Sequence, residues 1–509
     1  MNISHEVLRY ARSTPDALAV SAPAGTLTFA QLKYLVHGTA RQLFRHGVKT
    51  GAIVGLCFDD EVALLVTILA TARIGATAFS IPRSVPPTMQ KNMASQAGVS
   101  ILVTESKSAN LPDIPQIVMD VFRLPKETAD SDDDISDDSP SAPCLIITGS
   151  GSTGRPKYFA IQHSQLLARI RLTSKTTLLS PSDRLATLSH LDYLTSKVWW
   201  FAALFAGGSV ASIYRQQIDP ISIREDFGIT VLNTGVVHLE KILAAVAHAP
   251  ERGKTSLRAL FVAGSTVSDG LRQRVAAQLT SALWIFYGTN EMGLLTVVPP
   301  SELMHRPGTV GRPATDVEIE IVDSRGDVIE RGQTGHVRVR TPWMIQHYLH
   351  DAEASKKAFR DGWFYPGDMG WLSEDEQLIY CGRSDHMMNM NGINIYPAEI
   401  ELTMSQHEAV RDVAVIPLNS AVHQDVPVCA VTLHPSATVS EKELNDFAHH
   451  HLGFRMPRFI FVLPEIPRNE QGKLIRAKLK EAIEEKLRLI QNRANTTKSQ
   501  KTGNLTPQK

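Results

Sequence analysis

Ser150-Gly151-Ser152-Thr153-Gly154-Arg155-Pro156-Lys157 is a run of small, mostly polar residues closed by a proline and a single lysine. Small residues let the backbone curl round an anion and turn N–H and O–H donors inward, and the lysine adds a full positive charge. The composition therefore points to phosphate, although an ordinary polar turn ahead of a helix has the same make-up. The run is not a P-loop. Gly149 to Gly154 has the spacing, but Arg155-Pro156 stands where that motif needs Lys followed by Ser or Thr. Proline also has no N–H to give a phosphate.

Immediately upstream, Leu145 to Thr148 reads as a short buried strand, so the run lies at a strand end, where ligands usually sit in α/β sheets. Further upstream, Ile53 to Phe58 and Ile101 to Thr104 read as buried strands. Thr28-Phe29-Ala30-Gln31 has the form of a capping box opening a helix toward Gly47, and a second helix follows from about Glu61 to Gly75. This alternation predicts α/β layers with parallel strands. The acidic segment 126–143 has Ile135 as its single large apolar residue and reads as a solvated loop; the Gly and Glu of an EF-hand pattern are missing from it.

Downstream the period changes. Val317, Ile319 and Ile321 alternate, as do Val337 and Val339, with Ser324-Arg325-Gly326 as a turn between them, which predicts antiparallel β-structure. Beyond Ser384 a smaller unit mixes strands (Val413 to Ile416, Val428 to Leu433, Phe459 to Val462) with helices over Glu441 to His451 and Ala477 to Ile490. The expected organisation is a large domain over 1–384, a small domain over 385–490 and a disordered polar tail over 491–509.

The bulk composition excludes several classes. Lys plus Arg and Asp plus Glu number 52 each in 509 residues, so charge gives no argument for nucleic acid or an anionic membrane. The cysteines at 57, 144, 381 and 429 form no CxxC pair, against a zinc site or a disulfide framework. Val62 to Ile81 is strongly apolar but interrupted by Arg73 and Gly75, which fits a buried helix leading into a strand rather than a membrane span. The N-terminal residues lack the apolar core of a signal peptide, and a cytoplasmic location is expected. His449-His450-His451 reads as a solvated helix face.

Five further glycine-bearing segments punctuate the chain: Tyr287-Gly288-Thr289-Asn290-Glu291, Gly308-Thr309-Val310-Gly311-Arg312-Pro313, Tyr365-Pro366-Gly367-Asp368, Gly382-Arg383-Ser384-Asp385 and Gly472-Lys473. Each alone is a plausible turn. Together with the opening run, in this order, they resemble the adenylate-forming superfamily of acyl- and aryl-CoA synthetases, peptide-synthetase adenylation domains and luciferases. The resemblance extends over about Thr28 to Lys480.

The resemblance implies a large N-terminal domain of layered α/β subdomains with a β-barrel-like subdomain, and a small mobile α+β domain. It also implies a reaction in which a carboxylate attacks the α-phosphate of ATP, releasing pyrophosphate, and a thiol then displaces AMP. Both partners of the first step are anions, so positioning and positive charge must do most of the catalysis. On this resemblance Ser150, Gly151, Ser152, Thr153 and Gly154 cover the β- and γ-phosphates beside Lys157. Tyr287 flanks adenine, within a nucleotide segment that includes Gly288, Thr289 and Asn290. Glu291 holds Mg²⁺, Asp368 accepts from the ribose hydroxyls, and Arg383 contacts ribose or phosphate. Lys473 reaches the carboxylate and α-phosphate. Asp385 sits at the hinge, about which the small domain swings between half-reactions, bringing the Gly392 loop to the thiol channel.

The sequence departs from the family at three places. Tyr158 replaces a Gly, Asn290 a Thr, and Asn389 a Lys. For the acyl pocket, Leu194 occupies the position where amino-acid-activating members carry an Asp, so an α-amino acid is disfavoured, whereas a small shift of the alignment would bring Asp192 to that position. Tyr193 falls at the gate to the carboxylate, and Val236, Val237, His238 and Gly264-Ser265-Thr266 fall along the pocket wall. The expected co-substrates are ATP, Mg²⁺, a small carboxylic acid and a phosphopantetheine thiol, either coenzyme A or the arm of a separate acyl or peptidyl carrier protein. A weakly active nucleotide-binding scaffold is the remaining alternative.

Overall fold

The computed structural model describes residues 2–123, 139–149, 156–213, 227–248, 257–265, 267–303, 308–390, 393–420, 424–434, 437–469 and 472–502. The chain divides into two compact units. The larger comprises Met1–Gly264 and Arg272–Ile379, the smaller Ser265–Leu271 and Tyr380–Lys509.

In the larger unit one sheet runs in the order Gln116–Val118, Ile101–Thr104, Ile53–Cys57, Thr77–Ser80, Pro143–Gly149, Lys157–Gln162. The first five strands are parallel and the last is antiparallel. Parallel strands need crossover helices, and the sequence supplies them. Thr28 caps the helix Phe29–Arg45 with the expected box, its side chain accepting from Gln31 N. Asp60 caps Glu61–Arg73 by accepting from Ala63 N at 2.8 Å. Every residue from Glu61 to Ala72 is buried. A helix apolar all round belongs between layers, and this one packs on Phe29–Arg45 and on the strand Ile53–Cys57. Each fully buried Leu, Ile or Val contributes about 1.5–3 kcal/mol. Gly75 (φ +72°) then turns the chain into the strand Thr77–Ser80. Among the described residues no helix is long and apolar enough to cross a membrane.

The second sheet of this unit has a parallel core in the order Leu283–Thr289, Ala259–Val262, Val231–Thr234, Arg184–Thr187, Ser209–Ala211, Leu18–Ala22. On the Leu283–Thr289 side it continues without a break into antiparallel strands, through Gly293–Val298 and Thr309–Pro313 to Leu378–Arg383, Asp368–Leu372 and Gly335–Arg340. The alternating segments pair as Glu318–Val322 with Gly335–Arg340. Asp323 Oδ1 accepts from the N–H groups of Arg325, Gly326 and Asp327, which forms the turn at Ser324-Arg325-Gly326. The antiparallel part is thus one hydrogen-bonded continuation of the large sheet. On its face Glu318 pairs with Arg340 and Glu320 with Arg338, and both arginines lie over the Trp363 ring at 4.5 and 4.7 Å.

The smaller unit carries its own sheet, Ile393–Ile395, Met388–Met390, Gln424–Leu433 and Val410–Ser420, with Phe459–Val462 parallel to Gln424–Leu433. The helices Pro397–Met404 and Glu441–Leu452 close one core with Met388, Ile400, Val415, Val431 and Leu444. His449, His450 and His451 are exposed, as expected. The last helix corrects one reading. Arg476–Thr502 continues past Gln491, where the sequence had been read as disordered. That stretch is polar, but it holds no Gly or Pro before Gly503, so nothing in it stops a helix.

Candidate active site

The strands Pro143–Gly149 and Lys157–Gln162 are neighbours with Gly149 opposite Lys157. The run that joins them, Ser150, Gly151, Ser152, Thr153 and Gly154 with Arg155, lies outside the described residues, as does Gly392. Its two flanks are described. Lys157 places Nζ over the ring of Tyr348 at 4.7 Å. Tyr158 points to the other side of the strand. It is 6% exposed and packs on Phe79, with ring centroids 6.0 Å apart. This tyrosine, in place of the family's glycine, fills the core beneath the strand.

The second group comes from the hairpin between Leu283–Thr289 and Gly293–Val298. At the end of the first strand Tyr287 donates its hydroxyl to Asp368 Oδ2 at 2.5 Å. Asp368, 6% exposed, opens the strand Asp368–Leu372 directly after Gly367, whose φ of +83° suits glycine. Gly288 has no room for a side chain, because a Cβ there would lie 2.2 Å from the carbonyl oxygen of Gly293. Thr289 Oγ1 accepts from Met292 N at 3.2 Å and closes the turn. Asn290 donates its side-chain amide to Thr148 O at 3.3 Å, tying the turn to the strand that leads into the 150–154 run.

Glu291 brings these two groups together. A Cβ on Gly149 would stand only 3.1 Å from Glu291 Oε1, so the bare glycine leaves room for the carboxylate at the root of the run. The Tyr348 hydroxyl donates to the same oxygen at 3.0 Å. Lys157 and Glu291 thus share one aromatic side chain. Magnesium binds through one or two carboxylates plus substrate phosphate oxygens rather than an all-protein cage. One carboxylate beside a lysine at this strand end fits that requirement. Among the described residues no cluster of three or more His, Cys, Asp or Glu offers such a cage.

Two side chains here escaped the reading from sequence. Tyr348, 4% exposed, gave no signal. Arg169, 2% exposed on the helix His163–Thr176, gave one: a charge among Leu166, Leu167, Ile170 and Thr173, on the buried face of that helix.

The residues expected along the acyl pocket lie beyond the carboxyl ends of adjacent parallel strands of the same sheet. Tyr193 follows Arg184–Thr187, Val236 follows Val231–Thr234, and Gly264 follows Ala259–Val262, beside the strand that carries Tyr287. Carboxyl ends of adjacent parallel strands are where α/β sheets bind ligands. Tyr193 and Val236 are half-buried and Gly264 is exposed, with φ +91°. Asp192 is paired through one oxygen only, its Oδ1 being buried with no hydrogen-bond partner among the described residues. Its Oδ2 pairs with His190 Nδ1 at 2.8 Å, with both side chains 8% exposed. Burial pulls the His190 imidazole down, but the Asp192 bond and charge outweigh it and leave it raised. Behind them, burial brings the Lys197 ammonium down to about 8, with its Nζ donating to Asp192 O at 2.5 Å.

In the smaller unit, Arg383 makes a two-pronged pair with Asp385, at 3.0 and 3.2 Å. Burial pushes the Asp385 carboxyl up, but the Arg383 bonds and charge bring it below its ordinary value. Lys473 is exposed on a loop closed by its own backbone. Its N–H donates to Asn469 Oδ1 at 2.9 Å, and its carbonyl accepts from Asn469 N at 2.9 Å. Arg468 braces that loop, donating to Gly472 O at 3.0 Å and to both oxygens of Asp412 at 2.9 and 2.8 Å. The Asn389 side chain lies outside the described residues.

A layered α/β unit with a nucleotide-type strand end, followed by an α+β unit bearing an exposed lysine loop, is the architecture of AMP-forming ligases. The chain belongs to the adenylate-forming superfamily: residues 7–349 match the AMP-binding enzyme family and residues 399–473 the AMP-binding enzyme C-terminal domain. It is 25% identical over 497 aligned positions to 2-succinylbenzoate–CoA ligase of Geobacillus sp. (strain WCH70), covering 95% of this chain and 98% of that one. It is 26% identical over 515 positions to 3-hydroxybenzoate–CoA ligase of Aromatoleum sp. (strain CIB), covering 95% and 97%. Its fold matches ATP-bound MatB from Rhodopseudomonas palustris with a TM-score of 0.85 at 23% identity, over 95% of this chain and 99% of that one.

Proposed function

We propose that this protein is an ATP-dependent carboxylic acid ligase that forms an acyl-adenylate, releases pyrophosphate and passes the acyl group to coenzyme A. The observation that carries this reading is Glu291 Oε1 seated over Gly149, with Lys157 and Tyr348 beside it, at the root of the 150–154 run. When bound there with ATP, Mg²⁺ neutralises phosphate charge and makes pyrophosphate a better leaving group. The chain's own residues do the rest. Asp368, an acceptor-only carboxylate anchored by Tyr287, suits the ribose diol. Lys157 adds positive charge beside the phosphates. Lys473 stabilises the charge that develops as the carboxylate meets the α-phosphate.

Coenzyme A as the acceptor is supported by the two relatives, which are CoA ligases. Leu194 in place of the Asp of amino-acid-activating members supports an acid without an α-amino group, while Asp192 pairs only one of its carboxylate oxygens with His190. Asp385, which lies in the smaller unit shortly after that unit's boundary at Tyr380, is the hinge of this reading.

The test is pyrophosphate release from MgATP over fatty, aryl, hydroxy and amino acids, with and without CoA. Release with one class of acid, stimulated by CoA, is the expected result. Release that needs an added carrier protein instead would make the chain a stand-alone loader. In Lys473→Ala, adenylation falls to near background while ATP still binds; unchanged adenylate formation would remove Lys473 from its role.

A further inference from the structure

Arg169 is a charged side chain in the interior, on the side of the Glu291 turn away from solvent. Its Nη1 donates to Asn290 O at 2.8 Å, its Nη2 donates to Glu291 O, and Nη2 also reaches Trp343 O at 3.5 Å. Gly293 (φ +80°) lies against its aliphatic stem, where a Cβ would meet Cγ and Cδ at 3.3 Å. Four residues earlier on the same helix, and so on the same face, Gln165 donates to Met344 O at 2.7 Å. Trp343 returns the contact by donating Nε1 to Met292 O at 2.8 Å. One helix thus holds two segments together: the turn that carries Glu291 and the chain that leads to Tyr348, whose hydroxyl meets the Glu291 carboxylate.

An uncompensated guanidinium at this depth is costly unless an anion lies near. Burial brings Arg169 down to about 10, the Glu291 charge pushes the other way, and the group stays a cation at neutral pH. Simple bracing of a hairpin would be met by a neutral donor. A guanidinium that grips two successive carbonyls also fixes the backbone from which the Glu291 side chain leaves.

We propose that Arg169 is a positioning residue for the magnesium–nucleotide step, clamping the carbonyls of Asn290 and Glu291 so that the Glu291 carboxylate stays directed toward Gly149. This rests on the adenylation reading of the site. It predicts that Arg169 acts on the magnesium-dependent part of nucleotide binding and not on ATP binding as such.

The test is calorimetric ATP affinity of the full chain with excess Mg²⁺ and with EDTA, for wild type, Arg169→Gln, Arg169→Lys, Glu291→Gln and the Arg169→Gln/Glu291→Gln double variant. Magnesium should tighten ATP binding by wild type. Arg169→Gln should lose tenfold or more of that gain with little change in EDTA, and the double variant should bind no worse than Glu291→Gln alone. Arg169→Lys keeps the charge and one donor, so it should recover part of the gain; it also serves if the Gln variant fails to fold. Equal losses with magnesium and with EDTA, or losses that add in the double variant, would reduce Arg169 to a scaffold residue and overturn the proposal. A wild type with no magnesium-dependent gain would instead refute the adenylation reading itself.

Discussion

Tyr287→Phe removes one oxygen and keeps the ring, so it separates the hydroxyl's bond to Asp368 from any stacking on adenine. The hydroxyl donates to Asp368 Oδ2 at 2.5 Å, and the carboxylate is 6% exposed. A hydrogen bond to a charged group is worth about 1.5–3 kcal/mol, but that bond exists with and without nucleotide and largely cancels in binding. What does not cancel is order. Without its anchor the carboxylate must be fixed when the ribose arrives, and immobilising a side chain costs about 0.5–1.5 kcal/mol. At 1.4 kcal/mol per tenfold, ATP affinity should fall by about fivefold. The assay is calorimetry with ATP and with 2′,3′-dideoxy-ATP, which lacks the diol. Tyr287→Phe should weaken ATP and leave the dideoxy analogue nearly unchanged. Equal loss for both nucleotides would refute the pairing of Asp368 with the ribose.

Two further outcomes follow from local geometry. Gly288→Ala places a methyl 2.2 Å from the Gly293 carbonyl oxygen, and both strands of the hairpin must shift to admit it. A loss of roughly 2–4 kcal/mol is expected in denaturant unfolding, in the upper range for single substitutions. His386 is held down to about 4, from 6.5, by burial first and then by Arg476, whose Nη2 lies 3.0 Å from its Nδ1. The unfolded imidazole takes up its proton near 6.5 and the folded one only near 4. Its contribution to stability is therefore complete above 6.5 and is lost as pH falls toward 4. The stability difference between wild type and His386→Gln should move against wild type across that interval in urea titrations.

The elements that follow from local rules were readable in advance. Thr28 with Gln31 fixed a helix start, and the unbroken apolar run after Glu61 fixed a helix buried on all sides. The strand at Ile101–Thr104 needed only its short apolar run and its flanks. The helix beyond Gln491 was misread because polarity was taken for disorder, although no helix breaker lies there. In the site, glycine-bearing segments marked Tyr287, Glu291 and Asp368, because tight turns constrain sequence. The partners behind them left weaker traces. Arg169 was visible only as a charge out of place on a buried helix face. Tyr348 is distant in sequence from the carboxylate it meets, and only the folded chain brings the two together. The pairing of one Asp192 oxygen with His190, and the burial of the other without a partner, left no trace in the sequence.

The spread of the site over separate strand ends bears on how such a protein changes over generations. Tyr193, Val236 and Gly264 leave three different strands, while Tyr287 to Glu291 occupy the end of a fourth and the turn that follows. Among the described residues, no connection carries both a residue proposed for the acyl side and one proposed for the nucleotide side. On the proposed assignment, substitutions along the acyl wall can accumulate in three short connections while the hairpin proposed to meet ATP keeps its glycines and its carboxylate. Inheritance can thus vary the acid and conserve the chemistry on one scaffold, with separate stretches of the gene answering to each demand.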